Sequence, residues 1–198
     1  MPRTLAQLEE VKSERRAQIL DAAREIFALR GFETAKIADV AERCGISHGL
    51  LYHYFPTKES LFAAIVERSM TAGLSLIDEA ERGESDPWQA LRRVVERMLD
   101  GVREEPATVL VVVQALGSRA ASADVRASVQ RSEDAILRRL TALIERCEAA
   151  EAVTPSDAAA RAVALLAIVQ GLAIHRVSGS DLAAVFPDVR TVLALLKS

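Results

Sequence analysis

The chain has 198 residues, with 25 Lys/Arg against 28 Asp/Glu for a formal net charge of −3, and 50% of its residues are hydrophobic. That length admits one large or two small domains, and the balance of apolar and charged residues is that of an ordinary globular protein, which excludes a disordered or fibrous chain. Gly and Pro are sparse beside Ala, Leu, Arg, Glu and Val, which favours helix; no apolar run of about 18 residues and no signal-type core in the polar leader leads us to expect a cytoplasmic protein without a membrane partner.

Residues 1–12 read as a frayed leader, with at most a helical turn around Leu5 to Val11. The first helix is expected from about Ser13 to Arg30, with Ile19, Ala23, Ile26 and Phe27 as its apolar stripe and Gly31 as its stop. The next begins near Thr34 to Lys36, and Ile37, Val40, Ala41 and Cys44 recur at helical spacing. Gly45 suits a left-handed turn. Ile46 plugs the corner, and Ser47 is a natural N-cap for a helix from His48 to Phe55, which Pro56 keeps from continuing. Ala41 is small where the two helices cross, and Leu51 points back into the angle between them. This is the helix-turn-helix pattern, whose second helix enters the DNA major groove. Three consecutive helical residues cannot all face a core, so at least one of Tyr52, His53 and Tyr54 must meet solvent or a ligand.

Gly31-Phe32, Ile37, Asp39-Val40-Ala41, Gly45-Ile46-Ser47, Gly49, Leu51-Tyr52, Tyr54-Phe55 and Lys58-Glu59 together resemble the DNA-binding domain of the tetracycline-repressor (TetR) family, over roughly residues 13 to 62. The resemblance implies that Tyr52, Tyr54 and Lys58 hold phosphates while His48, Gly49 and His53 lie at base edges. Leu50 can meet a thymine methyl, Ser47 sits at the head of the reading helix, and Arg43 and Lys36 can reach inward. The sequence departs from the family pattern at Ala35-Lys36, where a hydroxyl pair usually caps the helix and bonds a phosphate. Thr34 is placed to cap one residue early, or Lys36 to supply a charge instead. The reading helix holds no Arg, Lys, Asn or Gln, the residues of bidentate base contacts. Modest direct readout, with phosphate fit and DNA shape carrying more of the binding, is the consequence.

Thr57 caps a fourth helix, through Leu61, Phe62, Ile65, Val66, Met70, Leu74 and Ile77 to about Arg82, long enough to link the DNA unit mechanically to the rest of the chain. Asp86-Pro87 starts a fifth, with Leu91, Val94, Val95, Met98, Leu99 and Val102 inward. A sixth, about Ala107 to Gly117, is so apolar that burial is expected, with Gln114 its one polar member. A seventh runs from about Ala123 to Ala150. Thr154-Pro155 opens the eighth, with Asp157 completing a box-like cap. From Ala158 to Ile174 it is apolar all round, so it must be covered all round. The last helix, about Pro187 to Lys197, is similarly apolar. The resemblance implies a homodimer through residues about 155–177 and 187–197.

The expected architecture is thus all-α, about nine helices: an N-terminal three-helix helix-turn-helix DNA-binding domain over residues 13–60, and a C-terminal helical ligand-binding and dimerisation domain over 61–198. Residues 1–60 hold nine of the 25 Lys/Arg and nine of the 28 Asp/Glu, so the acidic excess lies entirely in the second domain. Lys12, Arg15, Arg16, Lys36, Arg43 and Lys58 are the candidates for a local basic face. Arg15 and Arg16 read equally well as phosphate contacts or as a solvated basic turn. Six of the eight aromatic residues lie in or beside the DNA unit, so the effector pocket is expected to be aliphatic. Its candidate polar and large residues are Trp88, Met98, Arg103, Gln114, Gln170 and His175, each of which also reads as an ordinary structural residue. Cys44 and Cys147 form no CxxC pair and predict neither a metal site nor a disulfide. Cys44 reads as a small core residue, and a redox role for Cys147 is the minor alternative. No HExxH, GxSxG or phosphate-cradling loop occurs, so no catalytic residue and no cofactor is assigned. The expected function is a ligand-responsive DNA-binding regulator, a homodimeric repressor released from a palindromic operator by a small molecule. A ligand-independent or partner-gated activator or adaptor is the alternative.

Overall fold

The computed structural model describes residues 5–117, 123–154, 157–178 and 185–197. Among these the chain forms nine helices and no strand: α1 (Leu5–Thr34), α2 (Ile37–Arg43), α3 (His48–Tyr54), α4 (Lys58–Gly83), α5 (Pro87–Glu104), α6 (Pro106–Gly117), α7 (Ala123–Ala149), α8 (Ala158–Ser178) and α9 (Val189–Lys197). The local start signals act as the chemistry requires. Thr57 and Ser60 form a reciprocal capping box at α4. Asp86 accepts from the Trp88 amide at 2.9 Å ahead of Pro87 in α5. Asp188 accepts from the amide and hydroxyl of Thr191 at 2.8 and 2.7 Å in α9, and those bonds, the amide's first, hold its carboxyl below the usual range.

Four expectations are corrected. α1 begins at Leu5 rather than near Ser13; its described side chains before Ile19 are not buried, and its helicity rests on a run of good helix formers. α8 is capped by Asp157, which accepts from the Ala160 amide at 3.0 Å, while Thr154 lies upstream and its carbonyl accepts from Arg161 at 2.8 Å; Pro155 is outside the described residues. In α6 only Val111 and Ala115 are fully buried, and the rest of its valine run is half-covered although the helix touches α1, α4, α5, α7 and α8. α4 and α8 are each long and apolar enough to cross a bilayer by length and composition, yet α4 packs between α1, α5, α6 and α7, and α8 against α5, α6 and α7.

One core runs through both halves. Phe62 of α4 meets Phe27 edge-on at 5.4 Å and Phe32 at 4.8 Å, so the first turns of α4 are built into the N-terminal unit. Further along, Gly73 lets α4 approach α7 closely: a Cβ there would stand 3.3 Å from Ile136 Cδ1. Arg139 and Arg146 of α7 then pair with Asp78 and Glu81 of α4. Cys147 is fully buried, and burial pushes its thiol up to about 11. A thiol so placed does not ionise near neutral pH, which removes the redox reading.

Candidate nucleic-acid interface

The turn between α2 and α3 is made by hydrogen bonds within six residues. The Ile46 amide donates to the Ala41 carbonyl and the Gly45 amide to the Glu42 carbonyl, both at 3.0 Å, with Gly45 at φ 62°. This is the double closure that ends a helix on a left-handed residue. Ser47 then accepts the Leu50 amide at 3.2 Å, which leaves its hydroxyl proton able to donate outward. Ala41 and Leu51 are buried where the helices cross.

Burying Leu51 turns the opposite arc of α3 outward. His48, Gly49, Leu50, Tyr52 and His53 are all exposed, Tyr52 by 47%. Tyr54 is half-buried, with the His53 ring edge-on at 5.9 Å. These residues form one contiguous surface that holds both donors and acceptors and, on α3 itself, no charged side chain.

The basic candidates behave differently. Arg43 is paired with Glu25 of α1. Lys58 donates to the Glu33 carbonyl at 3.0 Å and lies 4.8 Å from the Phe32 ring centre. Lys36 is exposed at the head of α2 and caps nothing. Thr34 does not cap either, contrary to one of the two expectations for this corner: its hydroxyl turns back to the Arg30 carbonyl, the usual partner for a hydroxyl one turn on in a helix. Asp39, in the first turn of α2, pairs with Arg30. Cys44 is only half-buried, its Sγ 3.8 Å from the Gln18 carbonyl. Burial raises its thiol above the ordinary value, opposed by Arg15 and Arg43.

The six effector candidates are not brought together. Gln114 donates to the Ala28 carbonyl of α1 at 2.9 Å, and its Oε1 is buried without a partner. Arg103 bonds Asp100 at 2.8 Å and the Pro187 carbonyl at 3.2 Å, and stacks 4.6 Å from the Phe186 ring. Gln170 bonds Glu133, whose carboxyl is raised first by burial and then by Asp134. His175 is exposed in the last turn of α8, and Trp88 and Met98 are half-buried on α5. A cavity of about 190 Å³ lies instead between α4 and α7, lined by Ala63, Val66, Glu67, Met70, Val125, Ser128, Val129 and Ser132. A cleft of about 560 Å³ between α1, the α5–α6 turn and the end of α8 includes Arg103 alone of the six.

Arg24 is a functional tie that the sequence does not signal. Its guanidinium is mostly buried and donates to Glu105 at 2.6 Å and Thr108 at 3.1 Å, so it joins α1 to the start of α6. Its local pairing with Asp21 gives no sign of this tie, since Glu105 and Thr108 lie more than eighty residues away.

Two family models match the chain. The model described as bacterial regulatory proteins, tetR family, matches residues 19–65, and the C-terminal model of BetI-type transcriptional repressors matches residues 87–193. YfiR of Bacillus subtilis, an HTH-type transcriptional regulator, is 28% identical over 139 residues, 70% of this chain and 67% of its own length. FasR of Mycolicibacterium smegmatis, an HTH-type transcriptional activator, is 35% identical over 94 residues, so the match spans 48% of this chain and less than half (43%) of FasR. The crystal structure of a TetR-like transcriptional regulator from Rhodococcus sp. RHA1 superposes with a TM-score of 0.71 at 28% identity, covering 100% of this chain and 94% of that one.

Proposed function

The chain belongs to the TetR family of bacterial regulatory proteins, and from that premise we propose that it is a homodimeric repressor that leaves a palindromic operator when a small molecule binds. It is a DNA-binding transcriptional regulator. The observation that carries the reading is the exposed arc of α3, held by buried Leu51 and followed by α4, whose Phe62 joins it to the core shared with the remaining helices. We divide the chain into a DNA-binding domain, residues 13–60, and an effector and dimerisation domain, residues 61–198, with α4 serving both. His48, Gly49, Leu50 and His53 face base edges, while Lys36, Ser47, Tyr52 and Tyr54 meet phosphates. Arg43 and Lys58 reach DNA by leaving their internal partners.

A second copy is supported by the uncovered side of α8. Ala162, Leu165, Val169 and Ala173 turn inward, yet Ala160, Val163, Ala167 and Ile174 remain exposed, Val163 by 53%. Leu195 of α9 is also exposed. Two-fold pairing there sets two α3 helices a fixed distance apart, and half-sites demand about 34–36 Å or a multiple of it. A small, mostly apolar effector in the α4–α7 seam would wedge apart the two helices joined by Arg139 and Arg146. Because Phe62 anchors α4 among Phe27 and Phe32, the displacement reaches α3. A ligand that fits one arrangement shifts the population by its differential affinity, commonly about 1–3 kcal/mol.

The test is selection of genomic fragments by the purified protein, followed by thermal-shift screening of apolar metabolites and release assays with any stabiliser. An inverted repeat with release is expected. Enrichment of no sequence over random fragments would overturn the reading.

A further inference from the structure

From Leu5 to Gln18, α1 runs about 20 Å ahead of buried Ile19, and none of the described side chains on this stretch is buried. The projection lies beside the helix-turn-helix. The Gln18 carbonyl is 3.8 Å from Cys44 Sγ in the α2–α3 turn, and the Arg16 guanidinium stands 5.1 Å from the ring centre of Phe55, the C-cap of α3. Its charges are segregated. Lys12, Arg15 and Arg16 continue, at spacings of three and four, the buried stripe of Ile19, Ala23 and Ile26. Glu10 and Glu14 lie on the other side, and Glu9 sits at the edge of the basic stripe. Arg43 and Lys58 reach DNA by giving up an exposed ion pair with Glu25 and a bond to the Glu33 carbonyl, and α3 carries no Arg or Lys. The basic groups on the α1 projection are therefore well placed to supply the charge that α3 lacks.

We propose that the N-terminal projection of α1 is a second DNA-contact element, in which Lys12, Arg15 and Arg16 hold backbone phosphates flanking the base pairs covered by α3. The element rests on the regulator reading above and adds to it an operator footprint wider than the recognition helix itself. It supplies affinity without base preference, since phosphates carry no sequence.

The experiment uses the full-length protein and the duplex recovered from genomic selection, at full length and trimmed to the two half-sites, over a series of KCl concentrations. Lys12→Gln with Arg15→Gln should lower the slope of log affinity against log salt by about 1 per phosphate contact removed, so about 2 per protomer and about 4 for a dimer on its two half-sites. Wild type should bind the trimmed duplex more weakly than the long one, and the double variant, which keeps Arg16, should lose most of that difference with base preferences unchanged. Glu10→Gln with Glu14→Gln, on the opposite face, should keep the wild-type slope. A double variant that unfolds like wild type yet keeps its salt slope and its sensitivity to trimming overturns the proposal while leaving the regulator reading intact. A wild-type protein that binds no duplex overturns both.

Discussion

Gln114 is the one polar side chain in the apolar run of α6, and it closes onto α1 where that helix ends. Ala28 lies in the turn before Gly31, which leaves the helix at φ 76°, so its carbonyl is among those that run short of amide partners. Gln114→Leu removes a 2.9 Å hydrogen bond, a loss of about 0.5–1.5 kcal/mol. It also removes a buried Oε1 that has no partner, and such an atom costs about 1–3 kcal/mol. The two effects oppose, and a net change within about 1 kcal/mol is expected, or about 2–4 °C in a chain of this size. Gln114→Glu keeps the shape but replaces the donor with an acceptor facing the Ala28 carbonyl. As a buried unpaired carboxylate it should cost at least about 3 kcal/mol at pH 7. Its carboxyl is then driven above the ordinary value of about 4.3; with the folded state holding the proton more tightly, stability is full below that value and is lost as pH rises. The deficit should therefore shrink between pH 8 and pH 5. Thermal and urea unfolding of both variants measure this, and operator release assays report whether cutting the α1–α6 tie weakens the effector response. A leucine variant that loses more than about 3 kcal/mol, or a glutamate variant as stable as wild type at pH 8, would refute the donor role of Gln114.

Other sites give further expected outcomes. Ser47→Ala removes the acceptor of the Leu50 amide and should cost about 1 kcal/mol in urea unfolding, with a parallel loss of operator affinity; unchanged affinity would mean that the cap does not set the pose of α3. Val163→Glu places a charge on the open face of α8 and should give a monomer by analytical ultracentrifugation with little loss of helicity, whereas an intact dimer would move the interface elsewhere. In the native protein at pH 8, a thiol reagent should label Cys44 and spare Cys147. The latter's thiol, near 11, is about one part in a thousand thiolate there, and its labelling rises only as pH climbs toward that value; fast modification of both would contradict its burial.

The helix-turn-helix was legible because its determinants are local. A glycine at the left-handed corner, a serine at the cap, and Ala41 and Leu51 at the crossing act across a few residues, so their spacing alone specifies the turn. The same holds for the starts of α4 and α5. Periodicity also marked α8 as needing cover on every side, and one side does stand open in the single chain. Burial patterns were silent on the projection of α1, whose described side chains are not buried and whose helicity follows propensity.

Tertiary structure decided which charges are spoken for. Arg43 and Glu25 are separated by 18 residues, Lys58 and Glu33 by 25, and Gln114 and Ala28 by 86. A long polar side chain has many rotamers and many candidate partners, and helical spacing limits only those on its own helix. Which helix lies alongside is set by the packing of apolar faces over the whole chain, and only after that packing exists can a guanidinium or an amide find its acceptor. Sequence therefore determined the reading element and the kind of surface it presents. The neighbours that hold, free or silence each charged group belong to the fold, because long-range closure is a property of the assembled core and of no single segment.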